Sequence, residues 1–87
     1  MDTEKIRKDF PVAQKYTYLD SACMALKPKQ VIEAMNRYYN EFPACGERSS
    51  HKLGNKVTEE YEESRKKVAK FIGAKKEEII FTTTWNY

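Results

Sequence analysis

Eighty-seven residues with a net charge of +3, 40% hydrophobic and 33% charged side chains, leave room for one small domain spanning 1–87. Basic and acidic residues alternate along the chain instead of gathering on one face, which speaks against a nucleic-acid partner. Two cysteines, Cys23 and Cys45, without C-x-x-C spacing, exclude a disulfide framework and a zinc site.

The segment Met1-Asp2-Thr3-Glu4-Lys5 is charged and has no apolar core, so no secretory signal is expected. No apolar run reaches the ~18 residues of a membrane span. A cytoplasmic location without membrane contact is the resulting expectation.

Asp2 or Thr3 can cap a short helix running to about Asp9, with Ile6 and Phe10 as its apolar residues. Pro11 is expected to stop it, because proline disfavours the helical region for the residue before it. Tyr16-Thr17-Tyr18-Leu19-Asp20 alternates as a short strand does, and Ser21 to Lys27 reads as a loop.

Pro28 suits the first position of a helix. From there Val31, Met35, Tyr38 and Phe42 recur at helical spacing, widened by Ile32 and Tyr39, and Pro43 ends the stripe. Glu33 and Arg37 are placed to pair on its outer face. A second long helix is predicted from Leu53 or Asn55 to Ile72, with Leu53, Val57, Tyr61, Val68 and Ile72 on one side. Glu62–Lys66 and Glu63–Lys67 are its expected ion pairs, and Gly73 its C-cap. The two stripes are expected to pack, with Tyr38, Tyr39 and Tyr61 in the core. Lys66-Lys67 reads as a solvated face, and the two cysteines as small buried or half-buried residues.

Ile79-Ile80-Phe81-Thr82 is continuously apolar and β-branched, the pattern of a strand buried on both faces. Such a strand needs sheet neighbours, and only the weak strand at 16–20 is on offer. The chain thus reads as mostly α with minor β, locally consistent and globally unfinished. Left exposed, Ile79, Ile80 and Phe81 favour association, so oligomerisation or cover by another helix is expected.

Four segments, in this order and spacing, carry a family resemblance. They are Ile6-Arg7-Lys8-Asp9-Phe10-Pro11; Tyr18-Leu19-Asp20-Ser21-Ala22 with Lys27-Pro28; Tyr61-Glu62 through Arg65, Val68 and Phe71-Ile72; and Glu77-Glu78-Ile79-Ile80-Phe81-Thr82. Together they resemble the start of pyridoxal-phosphate enzymes of fold type I in the class V aminotransferase group, cysteine desulfurases in particular. The resemblance implies that the chain corresponds to the N-terminal part of a homodimeric enzyme of about four hundred residues. That enzyme takes sulfur from L-cysteine, leaves alanine, and feeds iron–sulfur cluster assembly; a sister branch releases selenium from selenocysteine. Its cofactor sits on a lysine and its persulfide on a cysteine. Both lie beyond residue 87 in the family's order, so the chain alone is expected to be inactive and to bind no cofactor.

The resemblance also implies site residues. Ser21 and Ala22 correspond to a turn lining the substrate pocket. Glu47-Arg48-Ser49-Ser50-His51 is similar to a family loop reading His-Arg-Gly-x-His; Arg48 and His51 match and would help hold the substrate or the dimer mouth, against a plain reading as a solvated arginine and a helix-start histidine. After Phe81-Thr82 relatives carry a Thr-Thr-Glu stretch that grips the cofactor phosphate at a helix end; Thr83 and Thr84 take that place, though the pattern is not intact. No catalytic residue and no metal ligand is assigned. Two further readings stand beside this one. A non-enzymatic helical interaction module, binding itself or a partner, is one; a non-functional remnant that still folds is the other.

Overall fold

The computed structural model describes residues 1–46 and 51–82, and all of the regular structure among them is helical. In chain order the elements are α1 (Thr3–Arg7), α2 (Pro11–Lys15), α3 (Lys29–Glu41) and α4 (Lys52–Ile72), followed by a 3-10 turn at Lys76–Glu78. They gather into two compact units, Met1–Glu41 and Phe42–Tyr87. Among the described residues no helix is long and apolar enough to cross a membrane.

In the first unit Asp2 caps α1, its carboxylate accepting from the Lys5 N–H at 3.1 Å. The expected stop at Pro11 is only half of what happens. Phe10 leaves helical space at φ −123°, and Pro11 then opens α2, which the sequence reading missed. A proline at a first helical position has no N–H to waste, so the same residue ends one helix and starts the next. The Arg7 guanidinium donates to the Ala13 carbonyl at 2.6 Å and the Gln14 amide donates to the Arg7 carbonyl at 3.3 Å, tying the two short helices together. Lys29 N–H donates to the Asp9 carbonyl at 2.8 Å, so the start of α3 is fastened to this corner. The helix begins one residue after Pro28, whose carbonyl accepts from Val31 and Ile32. Along the predicted stripe of α3, Val31, Ile32, Met35 and Tyr39 are exposed and Tyr38 is half-buried. No Glu33–Arg37 ion pair forms among the described residues.

The second unit is organised by α4. Its C-terminus is closed as the sequence indicates. Gly73 takes the left-handed conformation at φ 73°, its N–H donates to Lys70, and the Ala74 N–H reaches back to the Ala69 carbonyl at 2.8 Å. The chain then doubles back through the 3-10 turn, where the Glu78 carboxylate accepts from the Lys75 N–H at 2.7 Å. Phe42, Ala69 and Ile79 are the buried apolar residues among those described. Phe81 meets the Tyr61 ring edge-on at 5.3 Å, and the Lys56 ammonium lies 5.8 Å from the centre of the Phe42 ring.

Among the described residues neither predicted strand forms. Tyr16 (φ −135°, ψ 154°) and Ile79 (φ −101°, ψ 127°) do have extended backbone, yet neither 16–20 nor 79–82 has a ladder partner. Extended dihedrals are a property of the residue, whereas a strand is a property of two segments. The expectation of two-sided burial fails likewise. Ile79 is 9% exposed while Ile80 is 84% exposed, so the segment has an inner and an outer side. Cys23 and Cys45 are exposed rather than buried, one in a turn and the other in the stretch leading to α4.

The ion pairs of α4 shift by one residue from expectation, and Arg65 is the cause. Its guanidinium forks between two partners: Nη1 reaches both Glu62 carboxylate oxygens, at 2.9 and 3.2 Å, and Nη2 donates to the Lys76 carbonyl at 2.9 Å. Lys76 adds a contact to Glu62 at 3.7 Å. With Glu62 taken, Lys66 turns to Glu63 at 3.1 Å. The fork joins α4 to the turn that follows it, and its side chains are half-buried. Arg65→Met keeps the apolar stem and removes the fork. It is expected to lower the stability of the second unit by about 1–2 kcal/mol, read by urea denaturation. A change indistinguishable from zero would show that the fork is decorative.

Candidate functional site

The Ser21–Ala22 turn is built from backbone bonds. Asp20 places its carbonyl where the N–H groups of Cys23 and Met24 both donate to it, at 3.1 and 3.0 Å. The Tyr18 hydroxyl donates to the Met24 carbonyl and encloses the same turn. Just beyond it the Lys27 ammonium donates to the Ala25 carbonyl at 2.7 Å. Ser21 lines an open cavity of about 510 Å³, together with Arg7, Phe10, Tyr18, Leu26 and others, whereas Ala22 does not. Sequence reasoning did not find Arg7 as a wall of this cavity. It lines the wall while bonded to the carbonyl of Ala13, another lining residue, a pairing that no local pattern announces.

In the second unit His51 is the N-cap of α4. Its Nδ1 accepts from the Gly54 N–H at 3.3 Å, which is the helix-start role. The same unit carries a small groove of about 280 Å³ formed by Gly46, Val57, Thr58 and Tyr61. A β-carbon placed on Gly46 would meet Val57 Cγ1 at 3.2 Å, so the chain passes close to α4 here. Ser21 and Ala22 belong to the first unit and His51 to the second. Arg48, Thr83 and Thr84 lie outside the described residues. Among the described residues no cluster of His, Cys, Asp or Glu is arranged to hold a metal ion.

Pyridoxal phosphate requires an anion cradle, a shelf for its ring and a lysine amine within reach. The lysines of the described residues are exposed, apart from half-buried Lys76, which faces Glu62. His51 already fills the cap position of the one long helix in its unit. The described residues therefore do not make a site that fits the cofactor.

Comparison with known proteins places these elements. The family model of class-V aminotransferases matches residues 17–84. A probable cysteine desulfurase of Pyrococcus abyssi is 48% identical over 79 residues, covering 91% of this chain and 20% of its own length. A probable cysteine desulfurase of Streptomyces coelicolor is 43% identical over 90 residues, covering 94% of this chain and 22% of its own. The apo structure of a cysteine desulfurase from Thermococcus onnurineus NA1 superimposes with a TM-score of 0.80 at 49% identity, covering 91% of this chain and 20% of that one. The chain spans about a fifth of the length of the relatives it matches. With a family match across most of its residues and the helical frame of a cysteine desulfurase retained, the chain belongs to the class-V aminotransferase family.

Proposed function

We propose that the chain is the N-terminal segment of a pyridoxal-phosphate-dependent cysteine desulfurase. In that reading it contributes one wall of the site and no catalytic group of its own. The carrying observation is the 48% identity to a probable cysteine desulfurase over nearly the whole chain, combined with coverage of only a fifth of that protein. In the assembled enzyme the Ser21–Ala22 turn, Arg48 and His51 face the amino-acid substrate. Thr83 and Thr84 hold the phosphate of the cofactor, which supplies the electron sink for the chemistry. The reaction takes sulfur from L-cysteine, or selenium from selenocysteine, and leaves alanine. Its setting is the cytoplasm, and the partner of this segment is the remaining part of the enzyme.

Co-expression tests the reading. The chain is paired with the remaining four-fifths of the Pyrococcus abyssi relative, and alanine release from L-cysteine is measured. Activity that appears only when both pieces are present is the expected result. A folded, cofactor-loaded complex that releases no alanine would overturn it.

A second reading, a self-associating module without activity, draws on Phe71, Ile72 and Ile80, all exposed on the second unit. It requires the chain to form homo-oligomers and to ignore the four-fifths piece in the same co-expression.

A further inference from the structure

We infer that the Tyr18 hydroxyl is a positioning group for the Ser21–Ala22 turn. The inference rests on the proposal that this turn faces the substrate. The turn has no core to define its shape, since Ser21, Ala22 and Cys23 are all exposed. Polar ties must therefore do so. Two of them converge on the Asp20 carbonyl from the Cys23 and Met24 N–H groups and close the backbone. Among the described residues the third is the only one contributed by a side chain from before the turn. Tyr18 spans six residues to donate its phenolic proton to the Met24 carbonyl. Its ring is half-buried and lines the same cavity as Ser21, so the phenol is held at one end while its hydroxyl holds the other. A tyrosine serves here better than a serine or an asparagine. Its rigid ring reaches across the turn with two side-chain torsions to freeze. Tyr18 touches neither substrate nor cofactor in this scheme; it sets where the turn's Ser21 hydroxyl and backbone stand.

Tyr18→Phe keeps the ring in the cavity wall and deletes the bond. In the 87-residue chain, amide exchange followed by NMR is expected to be about fivefold faster at Cys23 and Met24, with α4 amides unchanged. Unchanged exchange at those two amides overturns the inference. The functional arm uses a chimera in which this chain replaces the matching fifth of the Pyrococcus abyssi relative. There Tyr18→Phe is expected to raise KM for L-cysteine about three- to tenfold, leaving kcat and the cofactor absorbance as they were. A merely structural loss would instead reduce kcat and cofactor content together, and that outcome counts against positioning. Ser21→Val separates the two layers. If it raises KM while Tyr18→Phe does not, the positioning role is wrong and the substrate-facing turn stands. If neither variant moves KM, the substrate-facing reading itself fails and the inference fails with it.

Discussion

Ile79→Asp is expected to cost the second unit about 3 kcal/mol or more, whereas Ile80→Asp next door should stay within about 0.5 kcal/mol of the parent. The two residues have the same side chain and differ in where it goes. Ile79 is one of the few buried apolar groups among those described, while Ile80 is exposed. An aspartate at 79 loses the apolar transfer energy, roughly 1.5–3 kcal/mol for a full-sized side chain, and must also be solvated or protonated. For a chain of this size that is a large share of all the stability it has. The contrast is read by urea denaturation followed in the far-ultraviolet circular dichroism of α4. Equal midpoints for the two variants would mean that the inner and outer sides of this segment are not distinct. The consequence reaches the proposed site, because residues 79–82 lead directly into Thr83 and Thr84.

The second large effect is expected at Gly73. Its φ of 73° is left-handed, and a β-carbon there would meet nothing within 4 Å, so any penalty is conformational rather than steric crowding by neighbours. An L-residue in this region costs about 1–2 kcal/mol, more when it is β-branched. Gly73→Val is therefore expected to destabilise the second unit by about 2 kcal/mol. Gly73→Asn should recover most of that loss, since asparagine tolerates the same conformation. The expected midpoint order in urea is Gly, Asn, Ala, Val. A valine variant as stable as the parent would show that α4 ends some other way in solution.

These cases also mark what could be read from the residues alone. Gly73, Asp2 and Pro43 are local signals acting on their own neighbours, and the helix ends they announce appear within a residue or two. Pro11 carries two local meanings, and only the stop was read. The strands failed for a different reason. Tyr16 and Ile79 do adopt extended backbone, but their sheet partners were never in the segment itself. The shift from Glu62–Lys66 to Glu62–Arg65 is likewise a tertiary decision, taken by a carbonyl eleven residues away. The loop that begins at Ser21 and the helix-start position of His51 were legible because loops and caps are local. The cavity beside Ser21 was not, since its wall depends on the fold of α2 against α1. Family resemblance supplied what physics on a short segment could not: the family to which the pieces belong.

The Arg65 fork has a kinetic corollary. All the partners it joins, Glu62, Arg65 and Lys76, fall inside one short stretch of sequence, and so do Ala69, Gly73 and Ala74. Closing loops that small takes far less time than adding one residue at the ribosome. The helix and its return turn can therefore close on each other between one residue addition and the next.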